Sequence, residues 1–132
     1  MGPVRRGRVL LVDDEFFIVS ALRRLLGSEH DVTSVMSAQD GIALVEAGHR
    51  FDVILCDLRM PGMSGIEFYE RLESLAPDLL ERIVFCTGAI FSTDTRQFFD
   101  RVPNRILEKP FDPITVRVLV RSFVNPSFGE AV

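Results

Sequence analysis

The chain has 132 residues, a length that argues for one domain with a real core. Its apolar share of 47%, charged share of 26% and net charge of −4 are ordinary for a globular protein and give no electrostatic reason to expect nucleic-acid binding. No apolar stretch approaches the roughly 20 residues that span a bilayer, and no secretory pattern follows Met1, so the expectation is a cytoplasmic protein that engages neither membrane nor nucleic acid.

In chain order, Arg5, Arg6 and Arg8 form a small basic cluster near the start that reads as solvated, with residues 1–7 as a leader to the first strand. A first strand over about 8–12 runs into Asp13-Asp14. A helix over about 15–26 follows, with Phe16, Val19, Leu22, Leu25 and Leu26 at three- and four-residue spacing and Gly27 as its stop. His30 and His49 fall in loops before strands and read as surface residues. A short strand over about 31–35 precedes a helix over about 38–46, with Ser37 as N-cap, Asp40 three residues on, and Gly48 beyond its end. Val53-Ile54-Leu55-Cys56 is then a continuous apolar run ending in Asp57, the pattern of a strand buried on both faces.

The loop over 59–65 carries one proline and two glycines, so its backbone is shaped by turn chemistry. A helix over about 66–75 is stopped by Pro77. Ile83-Val84-Phe85-Cys86 is a second buried run, ending in Thr87-Gly88. The segment 91–102 holds a helix capped by Ser92 or Thr93. A fifth strand over about 105–107 leads through Glu108 into Lys109-Pro110. Pro113 suits the first turn of a last helix through Phe123, with 124–132 as tail. Cys56 and Cys86 each precede a strand-end polar residue, so alternation turns both thiols into packing; with no CxxC spacing they read as buried hydrophobes.

Five β–α units without linker or repeat predict an α/β doubly wound parallel sheet of five strands, order 2-1-3-4-5, with helices on both faces. The core spans about 8–123 of a single domain. In such sheets the ligand crevice lies outside the carboxyl ends of the strands. Three carboxylates, one hydroxyl and one ammonium would gather there: Asp13, Asp14, Asp57, Thr87 and Lys109.

Crowded carboxylates raise one another's pKa unless a cation compensates, and an oxygen-only cluster suits a hard divalent ion such as Mg2+. Asp14 and Asp57 are candidates for direct ligands, Asp13 for a direct or water-mediated one, and the backbone carbonyl of Arg59 could complete the set. Asp57 is also a candidate nucleophile, because aspartates form acyl phosphates. Lys109, the Thr87 hydroxyl and the Gly88 N–H could then neutralise and bind phosphoryl oxygens. Taken singly, an acid pair is cap chemistry, a strand-end Thr is turn chemistry and a Lys-Pro is a surface turn. Their arrival at the ends of separate apolar strands favours a site.

The pieces LLVDDE, VILCD, DLRMPGMSG, IVFCTG and LEKPF resemble the receiver domains of two-component response regulators over about 8–123. The resemblance implies Asp57 as phospho-acceptor, Asp13 and Asp14 as metal-binding acids, Thr87 as switch hydroxyl, Lys109 as phosphate contact and a cis bond before Pro110. It implies Mg2+ as cofactor and a histidine kinase or phosphotransfer protein as phosphodonor. A downstream protein, or kinase domains in the same chain, would receive the signal through the face of the fourth helix, fifth strand and fifth helix, including Phe91, Phe98, Phe99, Val102 and Pro103.

The family often carries Tyr or Phe at the position of Ile106, so here the Thr87 half of the switch is left to move. Arg59 and Ala89 stand at places expected to tune the phosphoryl lifetime. The chain fits a single-domain regulator or a receiver cut from a larger protein, with some likeness to receivers of hybrid kinases. The alternative is a pseudo-receiver that only binds protein. A dehalogenase-like phosphatase would want an acid where Arg59 stands, and a flavodoxin would want a phosphate loop after the first strand.

Overall fold

The computed structural model describes residues 5–88 and 92–126. Its elements are β1 (Arg8–Val12), α1 (Phe16–Leu26), β2 (Asp31–Val35), α2 (Ala38–Glu46), β3 (Val53–Asp57), α3 (Gly65–Leu75), a 3-10 helix (Pro77–Arg82), β4 (Ile83–Thr87), α4 (Thr93–Arg101), β5 (Ile106–Glu108) and α5 (Pro113–Val124). All five strands are parallel, in the order β2-β1-β3-β4-β5. The doubly wound sheet expected from the pattern of apolar runs is therefore the one formed.

Alternation along the strands splits the core into two layers. Leu10, Val12, Ile54, Cys56, Ile83 and Phe85 pack under α2, α3 and α4, with Phe68, Leu72 and Phe98. Val9, Leu11, Val53, Leu55, Val84 and Cys86 pack under α1 and α5, with Leu22, Leu26, Val116 and Val120. Both layers being covered is what makes β3 and β4 buried at every position. Cys56 and Cys86 are indeed buried, one in each layer, and burial pushes both thiols well above the ordinary cysteine range.

The helix starts follow side-chain chemistry. Ser37 accepts from the Asp40 N–H, Ser92 from the Thr95 N–H and Asp112 from the Ile114 N–H. Ser64 and Glu67 form a reciprocal capping box that fixes the start of α3. Four local expectations differ. Gly65 already belongs to α3, and the chain after Pro77 does not simply stop but winds into the 3-10 helix, because proline suits a first turn as well as an end. Strand β5 lies one residue later than expected, where Phe85, Cys86 and Thr87 pair with Ile106, Leu107 and Glu108. Helix α5 runs on through Val124, which is buried.

Two readings near the chain start are corrected. His30 is not a surface residue: it is 2% exposed, and its Nδ1 accepts the Gly7 N–H at 3.1 Å. The basic cluster is not simply solvated. Arg5 pairs with Asp52, Arg6 pairs with Asp31 and donates to the carbonyls of Gly27, Ser28 and His30, and Arg8 lies over the Phe51 ring. His49 is exposed, as expected.

Among the described residues, no helix is long and apolar enough to cross a membrane.

Candidate phosphoryl-acceptor site

The strand register decides what meets at the carboxyl edge. Val12 pairs with Cys56, Asp57 with Cys86 and Thr87 with Glu108, so β1, β3, β4 and β5 end almost level. The residues one step beyond or at those ends are Asp13, Asp57, Thr87 and Lys109.

The side chains converge. Lys109 Nζ lies 3.2 Å from Asp13 Oδ2 and 3.5 Å from Asp57 Oδ2. One carboxylate oxygen from each of Asp13, Asp14 and Asp57 falls within 4.8 Å of the others. Asp13 and Asp57 are buried and Asp14 is more open, so the cluster has one solvent-facing side. The Asp13 carboxylate also accepts the Glu15 N–H at 2.9 Å, and Asp57 Oδ1 accepts the Arg59 N–H at 3.4 Å. The Lys109 N–H donates to the Thr87 carbonyl at 2.8 Å, which ties the ammonium-bearing residue to the end of β4.

Charge follows geometry. Burial, then the neighbouring Asp13, push the Asp57 carboxyl above the usual carboxylate range, with Lys109 opposing them. For Lys109, burial alone would lower the pKa, but Asp57 and Asp13 outweigh it and hold the ammonium above its ordinary value. The pocket is thus a set of hard oxygen donors with one fixed cation beside it and more negative charge than that cation neutralises. That donor set fits a small divalent ion such as Mg2+.

The remaining expected residues stand around this centre. Thr87 is buried and lines a cavity of about 520 Å3 with Leu58, Arg59, Met60, Pro61, Ser64, Ile66 and Thr95. Arg59 is exposed, and Gly88 is exposed against the Lys109 stem, where an added Cβ would sit 3.5 Å from the lysine Cβ. The Lys109–Pro110 peptide is cis. Ile106 is half-buried on β5, paired with Phe85.

The expected signalling face is partly core. Phe98 and Val102 are buried and Phe99 is half-buried, while Pro103 is exposed. Phe98 packs edge-on against Tyr69, Phe85 and Phe99, with ring centroids 5.2 to 5.5 Å apart. Phe91 and Ala89 lie outside the described residues.

Two contributors were not singled out from sequence. Glu15, the third acid of the D-D-E run, puts its carboxylate 3.5 Å from Lys109 Nζ. Gly65 comes so close that a Cβ there would lie 2.4 Å from the Asp57 carbonyl oxygen, so the loop after β3 closes only over a glycine. The repeated acid was a visible signal for the first; nothing local in the sequence marks the second.

Known proteins are similar to this chain in sequence and fold. The response regulator receiver domain family matches residues 9–121. The transcriptional regulatory protein YvrH of Bacillus subtilis is 30% identical over 91% of this chain and 50% of its own length. The nitrate/nitrite response regulator NarP of Escherichia coli is 31% identical over 95% of this chain and 59% of its own. The chain therefore spans about half the length of these relatives. Chemotaxis protein CheY4 of Vibrio cholerae superposes with a TM-score of 0.76 at 27% identity, covering 89% of this chain and 98% of that one. The receiver domain of the sensor histidine kinase PA1611 of Pseudomonas aeruginosa, solved with a magnesium ion in its active-site cleft, shares the fold with a TM-score of 0.77 at 21% identity, over 90% and 98% of the two chains. With the sheet order, the acidic pocket and a family match over most of its length, the chain belongs to the response regulator receiver domains of two-component signalling.

Proposed function

We propose that this receiver accepts a phosphoryl group on Asp57 from a phosphohistidine of a histidine kinase or phosphotransfer protein, and passes the change to a partner protein. The observation that carries the reading is the Asp57 carboxylate at the end of β3, within 3.5 Å of Lys109 Nζ and beside two further acids. An Asp57 Oδ attacks phosphorus in line, an O–P bond forms, the N–P bond to the donor imidazole breaks, and the ring leaves neutral after taking a proton.

Asp13, Asp14 and Asp57 would hold Mg2+, with the Arg59 carbonyl as a further ligand; when bound, the ion neutralises charge on the transferring group. Lys109 neutralises a second phosphoryl oxygen. The Thr87 hydroxyl and the Gly88 N–H are the donors assigned to a third. After transfer, Thr87 follows the new charge, and the α4–β5–α5 face moves with it. Because the aromatic cluster of Tyr69, Phe85, Phe98 and Phe99 lies behind β4 and Ile106 is aliphatic, the motion is assigned to Thr87 and α4 rather than to a swinging ring on β5.

The donor is assigned to the apolar groove between α1 and the start of α5. Phe17, Ile18, Ala21, Leu25, Phe111 and Pro113 line it, and Glu15 and Lys109 join it to the acidic pocket. Phe17 is 85% exposed at its rim. A donor helix seated there would bring its phosphohistidine to Asp57.

Acetyl phosphate with Mg2+ should add about 80 Da to the intact protein, and Asp57→Asn should abolish the gain. No gain with small-molecule or protein donors would leave the chain a binding-only receiver and overturn the reading.

A further inference from the structure

His30 has no part in the phosphoryl chemistry, lies at the opposite sheet edge and is nevertheless 2% exposed. Its Nδ1 accepts the buried Gly7 N–H at 3.1 Å, so the neutral ring carries its proton on Nε2. That Nε2 is buried and finds no hydrogen-bond partner among the described residues. The Gly7 carbonyl in turn accepts the Asp31 N–H at 2.8 Å. Gly7 presses on the end of α5, where an added Cβ would collide with the Val124 side chain, and Arg5 exchanges hydrogen bonds with Asn125.

We propose that His30 is an acid-sensitive latch that fastens segment 5–7, and through it the end of α5, to the turn between α1 and β2. A second proton on the ring must go to Nδ1, where it faces the Gly7 N–H donor to donor. The bond is lost, and a cation is left buried. The charged groups facing the ring come from four sides: Glu29 from the turn, Arg6 from the leader, Arg121 from α5 and Asp52 from the loop before β3. Burial is the largest influence and lowers the ring's pKa; Arg6 and Arg121 work with it, and Glu29 and Asp52 against it. A depressed histidine gives stability that is full above the ordinary value of 6.5 and drains away as pH falls below it.

The test is amide hydrogen exchange on the intact chain between roughly pH 7.5 and 5, with the ring protons of both histidines followed by NMR. Protection of the Gly7 and Asp31 amides should fall about tenfold per pH unit below roughly 6.5, while the Leu55 amide holds. The His30 ring should titrate below the ordinary histidine value of 6.5. His49→Asn should leave the pattern intact, and His30→Asn, whose amide oxygen can take the place of Nδ1 but does not titrate, should flatten it. Equal pH dependence in wild type and His30→Asn would overturn the latch. If His30→Asn does not fold, the wild-type data decide: loss of Gly7 protection that starts near the ordinary value of 6.5 and levels off where the folded ring itself titrates supports the latch, and protection that stays flat through that window refutes it.

Discussion

Burial beside Asp13 makes the charged form of Asp57 costly to the fold. A carboxylate buried beside Asp13, with one lysine between them, titrates above its ordinary value of 3.8. The folded state therefore holds the proton more tightly than the unfolded chain does, and the sign follows: this group's contribution to stability grows as pH falls through the raised pKa and worsens above it. Asp57→Asn in the presence of a chelator should accordingly raise the melting temperature at pH 7, and the difference between variant and wild type should shrink as the pH is lowered into the carboxylate range. Mg2+ should act the other way on the two proteins. At about 100 times its Kd it stabilises wild type by about 2.7 kcal/mol, and it should do far less for the variant. Thermal melts with and without Mg2+ check both; a variant less stable than wild type under chelation contradicts the electrostatic reading. Asp13, Asp57 and Thr87 were legible as residues because each closes an apolar run, and Asp14 and Lys109 because they lie one step further on. His30 was not legible, since a polar residue before a strand reads as a loop, and only tertiary packing of the leader against α5 buries it.

At the scale of elements, the strands and helices that place the site were legible where pattern and chemistry agree. β3 and β4 are uninterrupted apolar runs because both faces are covered, and the caps at Ser37 and Ser92 stand in the sequence as cap residues. β5 was harder: it has three residues on the sheet edge, so its register is set by pairing to β4 and not by its own pattern. The 3-10 helix after Pro77 was missed because the same proline can end one helix and start another turn. The loop from β3 to α3 carries the strongest element-scale prediction. Its closure brings Gly65 against the Asp57 backbone, with the Gly65 N–H on the Leu58 carbonyl at 3.0 Å. Gly65→Ala should cost about 1–3 kcal/mol in urea denaturation and, on the proposed function, slow phosphorylation by acetyl phosphate, because the backbone of Asp57 must shift. Unchanged stability and rate would mean the contact yields without moving Asp57.

Across the whole molecule the two edges of one sheet gather different groups. The carboxyl edge gathers the acids and Lys109, while the amino edge gathers the leader, His30 and the Arg5–Asp52 pair. The groove beside the carboxyl edge gives a prediction at this scale. Phe17 is exposed, so Phe17→Ser should leave stability within about 0.5 kcal/mol and the acetyl phosphate reaction within about twofold. Transfer from a phosphohistidine protein should slow by about tenfold or more, the loss expected when an aromatic anchor is removed from an interface. Equal slowing of both donors, or of neither, would remove the groove from donor docking. The most direct measurement of the central claim is chemical trapping: the phosphorylated protein is reduced with borohydride, which turns an aspartyl phosphate into homoserine, and its peptides are mapped by mass. Homoserine at position 57 and nowhere else is the predicted result; homoserine at position 13 or 14, or phosphate held on a hydroxyl and untouched by borohydride, would contradict it.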